Sequence, residues 1–125
     1  EIMAGFTKGK EAWLPVDARQ RVLAVEKQEK LAESMLHTTR ALVALRKASV
    51  ALSAGSFRVV DARDGLLVFE READGQRVRC AFNFAAGDVT LDIGGKPDVL
   101  WAHEAVASGN KLVMPGFSAA WLKLA

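Results

Sequence analysis

The second half of the chain has an apolar period of two, and this period constrains the fold more than any other feature. Because side chains alternate between the two faces of a strand, such a period indicates half-buried β-strands. The runs are SFRVVDA, LLVFEREA, QRVRCAFNF, VTLDI, DVLWA, KLVM and AAWLKL, separated by Gly, Pro or Asp-Gly. A spacing of roughly 8–12 residues is typical of an antiparallel sandwich, so the pattern predicts a mainly β fold of about seven strands.

Two of these runs indicate which side chains face a core. The apolar face of the third run consists of Val78, Cys80, Phe82 and Phe84, and that of the fourth of Val89, Leu91 and Ile93. The other face of the third run carries Arg77, Arg79 and Asn83. Asp74-Gly75 is a common hairpin turn, and we assign Asp61 and Asp64 to turns as well.

A helix is predicted upstream, over residues 34–48, in SMLHTTRALVALRKA. Ser34 can cap its first turn, because a hydroxyl oxygen accepts an unpaired N–H there. Its apolar stripe is wide, so we expect the helix to pack on two neighbours. The stripe comprises Met35, Leu36, Leu42, Val43, Leu45 and Val50. The preceding run RVLAVEKQEKLAE predicts a further turn or two of helix. We place a domain boundary at residue 52, with a loop-and-helix segment over 1–51 and the sandwich over 52–125.

The opening stretch AGFTKGKEAWLPV, residues 4–16, is irregular and yet holds Phe6, Trp13 and Leu14. A loop with this much apolar surface normally lies against another part of the protein. We therefore expect this loop to pack on a partner surface.

Composition excludes several classes of function. Seventeen basic and fifteen acidic residues leave a net charge of +2, too weak to indicate a nucleic-acid partner. No apolar run reaches the roughly 18 residues of a membrane span, so we expect no membrane partner. Lys8 and Lys10 interrupt any apolar run near the start, and we expect no signal peptide there.

Cys80 is the only cysteine, so a disulfide framework is excluded. It stands between apolar residues of a predicted strand, and we expect a buried, inert thiol. A reducing compartment is compatible with this cysteine usage. We expect the cytoplasm or the periplasm, and favour the cytoplasm.

Glu70 and Glu72 are the carboxylate pair that most resembles catalytic chemistry. Two positions apart on one strand face, they would be about 7 Å apart, within the roughly 6.5–9.5 Å of an inverting glycosidase. The interpretation we prefer is a solvated strand end, because like charges there discourage edge-to-edge pairing. We therefore predict no catalytic residue in this chain.

The two histidines, His37 in the helix and His103 in a loop after Trp101, have no second His or Cys at ligand spacing. We predict no metal site and no cofactor. Trp13, Trp101 and Trp121 could stack on sugar rings if they were exposed. Burial in the core or between domains is the more common role for tryptophan, and we expect it for all three.

Four segments together resemble one known family. They are AGFTKGKEAWLPV, the helix through ALRKASVALSAGSF, LLVFERE with RCAFNF, and the final MPGFSAAWLKL. In this order and spacing they resemble the C-terminal part of α-glucosidases of glycoside hydrolase family 13, the α-amylase family. The resemblance runs over essentially the whole chain.

The resemblance implies a (β/α)8 barrel followed by a C-terminal antiparallel sandwich. Residues 4–16 would then lead into the last barrel helix, 34–48 would be that helix, and the sandwich would follow from about 52. The partner surface of the opening loop would be the missing barrel. The family's catalytic carboxylates lie on barrel strands upstream, so no catalytic or calcium-binding residue maps onto this chain.

The resulting hypothesis is a non-catalytic, structural C-terminal fragment of a retaining α-glucosidase-like hydrolase that acts on oligosaccharides. Whether the parent is a hydrolase, a transglycosylase or an isomerase stays open at this point, as does the glucoside that it cleaves. One alternative is a stand-alone carbohydrate-binding module that uses Trp101 or Trp121. Another is self-association, with a homodimer formed through an exposed helix stripe of Met35, Leu42 and Leu45.

Overall fold

The computed structural model describes residues 3–124, and these divide into two compact units. The described residues up to Ala44 form the first unit and those from Leu45 form the second. The predicted domain boundary at residue 52 stays a prediction. Within the described part of the chain, no helix is long and apolar enough to cross a membrane.

The first unit consists of an irregular start and short helical segments. A 3₁₀ helix spans Ala18–Arg21, and α1 spans Val25–Gln28, in the region where a turn or two of helix was predicted. The long helix α2, Met35–Ala48, begins one residue after the predicted start and runs past the division between the units. Ser34 precedes it and accepts a hydrogen bond from the His37 N–H at 3.4 Å, as expected of a capping residue.

The second unit is a two-layer antiparallel sandwich, which confirms the predicted fold class. Its elements are α3 Val50–Ala54, β1 Ser56–Arg63, β2 Leu66–Ala73, β3 Gln76–Asn83, β4 Val89–Asp92, β5 Asp98–His103, β6 Val106–Ser108, β7 Lys111–Met114 and β8 Ser118–Leu124. One sheet has the order β1-β2-β3-β8-β5 and the other β4-β7-β6. The predicted count of about seven strands is wrong by one, because the three residues of β6 are too few to show an alternating pattern.

The five-stranded sheet buries side chains on both faces. Its inner face packs against the three-stranded sheet, and this core consists of Leu66, Val68, Ala81, Ile93, Leu112, Met114, Ala120 and Leu122. Its outer face, which is turned away from the second sheet, holds a cluster of Ala51, Leu52, Val78 and Cys80. The predicted apolar face is therefore correct for Val78, Cys80 and Phe82, whereas Phe84 follows the end of β3 and is 61% exposed. The other face of β3, predicted to be polar, is buried at Ala81 and Asn83, which are 0% and 1% exposed, whereas Arg77 on that face is exposed.

Helix α3 is fastened to the outer face by polar contacts as well as by packing. Ser49 caps the helix, and its Oγ accepts a hydrogen bond from the Leu52 N–H at 3.2 Å. The same hydroxyl donates to Gln76 Oε1 at 2.6 Å, and the Ala51 N–H donates to that oxygen at 3.1 Å. Gln76 is the first residue of β3, so these bonds join the start of α3 to the sheet.

Two of the three aspartates that were assigned to turns lie in turns. Asp64 and Asp74 have φ of +48° and +49°, and each precedes a glycine in a tight turn between strands. The third assignment is wrong, because Asp61 lies within β1. It follows a β-bulge between Val59 and Asp61, where β1 carries one residue more than its partner β2. The extra residue breaks the alternation of side chains between the two faces of the strand.

Asn83 at the end of β3 holds two connections together. Its buried amide nitrogen donates to Gly87 O at 2.8 Å and to Pro115 O at 3.0 Å, and its oxygen accepts from the Ala85 N–H at 3.1 Å. The turn after β3 and the turn after β7 are thus bound to one side chain.

Replacing Asn83→Ala should lower the free energy of unfolding by about 2 kcal/mol, because it leaves buried backbone groups without hydrogen-bond partners. Urea unfolding followed by circular dichroism measures this loss. The matched control is Asn110→Ala, which removes an exposed amide that donates to Asp92 Oδ2 at 3.3 Å and should cost under about 0.5 kcal/mol. Equal losses in the two variants would contradict the role assigned to Asn83.

Candidate functional site

Glu70 is the only acidic side chain that is buried among residues 3–124, at 4% exposed. It lies on β2 between two arginines that stand opposite it in the register, Arg58 on β1 and Arg79 on β3. Arg79 donates to Glu70 Oε1 from Nε at 2.9 Å and from Nη2 at 2.6 Å, and Arg58 donates to Oε2. The preferred interpretation of a solvated strand end is therefore wrong for Glu70 and correct for the exposed Glu72.

The protonation of Glu70 suits a structural ion pair. Burial raises its pKa, but the hydrogen bonds and charges of Arg79, and then of Arg58, outweigh burial and hold the pKa below its ordinary value. A general acid near neutral pH needs a raised pKa, and a nucleophile needs an unoccupied oxygen. Guanidinium groups occupy both oxygens of Glu70. Glu70 and Glu72 are therefore not arranged as the two carboxyl groups that cleave a glycosidic bond.

The histidines lie on different elements. The His37 Nε2 is 3.1 Å from the carbonyl oxygen of Glu29, within the first unit. His103 is the last residue of β5 and not part of a loop, so that placement was wrong. The alternation continues one residue beyond DVLWA, because His103 pairs with Ala119. Across residues 3–124, no group of three or more His, Cys, Asp or Glu could hold a metal ion.

Cys80 is buried at 1% exposed, as predicted. Burial raises the pKa of its thiol to about 12, against a smaller opposite effect of the Arg71 charge. Because the thiolate is the reactive form, this cysteine is inert near neutral pH.

The three tryptophans differ in their surroundings. Trp101 and Trp121 stand opposite each other on β5 and β8, half-buried, with ring centroids 6.1 Å apart and planes at 63°. Because both residues are half-buried, only part of each ring is open to a sugar. Trp13 is 97% exposed in the first unit, so the expected core burial is wrong for this residue within the described structure. Its burial against another domain stays a prediction.

A row of phenylalanines crosses the outer face of the five-stranded sheet. We call Phe57, Phe69, Phe82 and Phe84 the aromatic row. Successive ring centroids are 4.8, 5.9 and 5.9 Å apart. The sequence pattern places Phe82 and Phe84 on one face, but it does not join them to Phe57 and Phe69, because that step requires the strand register.

The row has a packed centre and open ends. Phe69 and Phe82 pack against the cluster of Val78 and Cys80, whereas the end residues Phe57 and Phe84 are 59% and 61% exposed. Exposed apolar side chains that continue a core in this way are typical of interaction surfaces.

The first unit also exposes apolar side chains. Phe6, Trp13 and Leu14 of the opening loop are 68%, 97% and 66% exposed, and Phe6 and Trp13 line an open groove of about 500 Å³. In α2, Met35 is 72% exposed. The predicted exposed stripe is only partly correct, because Leu42 is half-buried and Leu45 packs on the outer-face cluster of the second unit.

The mainly β fold of antiparallel sheets matches the C-terminal domain of α-amylase-type enzymes. XgtA, an α-glucosyl transfer enzyme of known structure, is 32% identical, with a TM-score of 0.77 over 89% of this chain and 22% of its own. The trehalulose synthase MutB from Pseudomonas mesoacidophila MX-45 is 24% identical, with a TM-score of 0.86 over 98% of this chain and 23% of its own. At that identity MutB shows the fold alone.

The family model described as Domain of unknown function (DUF3459) matches residues 52–121, and the chain belongs to this family. A probable alpha-glucosidase of Rhizobium meliloti (strain 1021) is 32% identical over 116 residues, which are 90% of this chain and 21% of the relative. The chain thus spans about a fifth of the length of this curated relative. The resemblance to the C-terminal part of family 13 α-glucosidases is confirmed.

Replacing Glu70→Gln should lower the free energy of unfolding at pH 7 by about 2 kcal/mol, because Arg79 and the more exposed Arg58 lose hydrogen bonds to a charged group. Since the folded-state pKa of Glu70 is depressed, its ionic contribution is present above its unfolded pKa and is lost as the pH falls through the folded pKa. The difference between the parent chain and the variant should therefore shrink below about pH 4.

Chemical denaturation of both proteins between about pH 3 and pH 7 tests this prediction. Glu72→Gln is the matched control, since it removes an exposed carboxylate two residues away on the same strand. A difference for Glu70→Gln that stays constant over this range would contradict the ionic role of Glu70.

Proposed function

We propose that this chain is the non-catalytic C-terminal part of an α-glucosidase-type glycoside hydrolase of family 13. The parent enzyme cleaves α-glucosidic bonds of oligosaccharides with retention, through a covalent glycosyl-enzyme intermediate. Such chemistry uses two carboxyl groups about 5 Å apart, and these lie in the preceding part of the parent.

The observation that carries this proposal is the extent of the match. An α-glucosidase relative aligns with 90% of this chain, yet this stretch makes up only 21% of that relative. The preceding four-fifths of such an enzyme has room for a barrel of roughly 250 residues or more. The paired state of Glu70 also supports a structural role, because this carboxylate is committed to Arg58 and Arg79.

In the parent, the role of the sandwich is to stabilise the preceding domain. The first unit also exposes apolar side chains on α2 and on the opening loop, among them Met35 and Trp13, and both segments need a covering surface in the parent. The missing barrel domain is the partner that we propose for them.

Glucosyl transfer is a second candidate for the parent reaction. XgtA is as similar in sequence as the Rhizobium meliloti relative, at 32%, and it is an α-glucosyl transfer enzyme. Hydrolysis and transfer share the glycosyl-enzyme intermediate and differ in whether water or a sugar accepts the glucosyl group. The carbohydrate-binding alternative has less support, because the Trp101 and Trp121 rings are half-buried and meet edge to face.

The purified 125-residue chain should not hydrolyse nitrophenyl α-glucoside, whereas the complete natural polypeptide that carries it should release nitrophenol. Mass spectrometry of the products formed from maltose separates hydrolysis, which yields glucose alone, from transfer, which also yields longer saccharides. The matched control is nitrophenyl β-glucoside, which neither protein should cleave. Hydrolysis by the chain alone would refute its non-catalytic role, and an inactive complete polypeptide would refute the α-glucosidase assignment.

A further inference from the structure

Strand β1 is a free edge of the five-stranded sheet. It stands at the end of the order β1-β2-β3-β8-β5, and within residues 3–124 no strand pairs with its outward side. Seven of its eight residues are exposed and the eighth is half-buried. The other edge strands, β5, β4 and β6, have six, four and three residues, so β1 is the longest of the four edges. The outward backbone N–H and C=O groups of such an edge are a template for a further strand.

We propose that β1 pairs with β1 of a second copy of this protein, antiparallel and around a two-fold axis between Val59 and Val60. The two five-stranded sheets then form one continuous sheet of ten strands, which is within the range of open sheets. A two-fold interface uses the same surface of both copies, so a strand that complements itself is sufficient. This inference goes beyond the proposed function and does not rest on it.

Charge complementarity favours a second copy as the partner. In this register Arg58 lies opposite Asp61 of the second copy, and the symmetry produces the same pair twice. Arg58 donates to Glu70 from Nη2 and its side chain is still 67% exposed, so further N–H groups of the guanidinium are open to a partner. Asp61 accepts from Arg63 Nε at 3.1 Å, and a carboxylate has room for further donors on its two oxygens. Opposite charges directly across a strand pair stabilise it, and like charges destabilise it.

The β-bulge of β1 makes this charge pair possible. In a regular strand, residues three apart lie on opposite faces. The extra residue of the bulge instead places Arg58 and Asp61 on the same, inner face. Their partners on β2, Glu70 and Val68, are two residues apart and therefore share that face.

The bulge also favours a second copy over an unrelated strand. A bulge normally protects an edge, because a regular partner strand cannot keep its register across it. A second copy carries the same bulge at the same place, so the residues of the two strands match in number on both sides of the axis.

The apolar residues of β1 fit the same register. Phe57 lies on the outer face opposite Ala62 of the second copy, whose small side chain leaves room for the ring. Phe57 is 59% exposed in one copy, and Val59 and Val60 next to the axis are 50% and 42% exposed. Pairing removes part of this apolar surface from water, which favours the dimer.

Sedimentation velocity of the complete natural polypeptide that carries this chain, at roughly 1–100 µM, measures the dissociation constant of the dimer. Asp61→Arg should raise this constant at least about 10-fold, because it places like charges opposite each other twice in each dimer. The matched control is Asp98→Arg, which makes the same change of charge on an exposed residue of β5, at the other edge of the same sheet. The control should leave the constant unchanged, and circular dichroism checks that both variants fold.

Hydrogen exchange of the unmodified polypeptide provides a second measurement that does not depend on a variant. As the concentration rises from about 1 to about 100 µM, peptides that cover β1 should gain protection, because their outward N–H groups become paired. Peptides that cover the edge strand β5 should keep their exchange rates.

Three results would overturn the proposal. One is a polypeptide that stays monomeric up to about 100 µM. Another is a dimer that Asp61→Arg does not weaken, or that Asp98→Arg weakens equally, since the charge of β1 then has no specific role. The third is a dimer in which β1 gains no protection, which would assign the contact to another surface.

The same samples separate this inference from the proposed function. A monomeric polypeptide that cleaves α-glucosides refutes the pairing of β1 alone. A dimer with protected β1 that cleaves no α-glucoside refutes the proposed function and leaves the pairing standing.

Discussion

Strand β3 buries side chains on both of its faces, and the other elements of the second unit are arranged around that requirement. Val78 is 0% exposed on the outer face and Ala81 0% on the inner face. A sheet that is apolar on both sides needs two covering layers. The three-stranded sheet supplies one of them, while α3 and Leu45 supply only part of the other. Because this second layer is incomplete, the ends of the aromatic row stay exposed.

The ionic interactions follow from the same sheet. Glu70 shares the inner face with Val68 and would be costly to bury alone, so the two flanking strands each provide an arginine in register. A slip of one residue between strands would move these side chains to the opposite face and separate the charges. The buried carboxylate thus helps to specify the pairing of β1, β2 and β3, a structural task that leaves it unsuited to catalysis.

The sequence predicted the architecture well because the period of two is a local signal. The helix α2, seven of the strands and the buried Cys80 follow from alternation, turn residues and apolar spacing. The burial of Glu70 could not be predicted in this way, because it depends on Arg58 and Arg79 coming from two neighbouring strands. The aromatic row was missed for a similar reason, since ring stacking between Phe57 and Phe69 depends on strand register.

The folded sandwich begins further upstream than the segment that matches the family model. The family match begins at residue 52, but three earlier residues belong to the fold. Leu45 and Ala51 pack in the outer-face cluster, and Ser49 and Ala51 donate hydrogen bonds to Gln76. A sandwich that started at residue 52 would expose Val78 and Cys80 to water. When such domains are exchanged between enzymes, by recombination in evolution or in the laboratory, the crossover therefore has to fall before Leu45 for the sandwich to keep its own core.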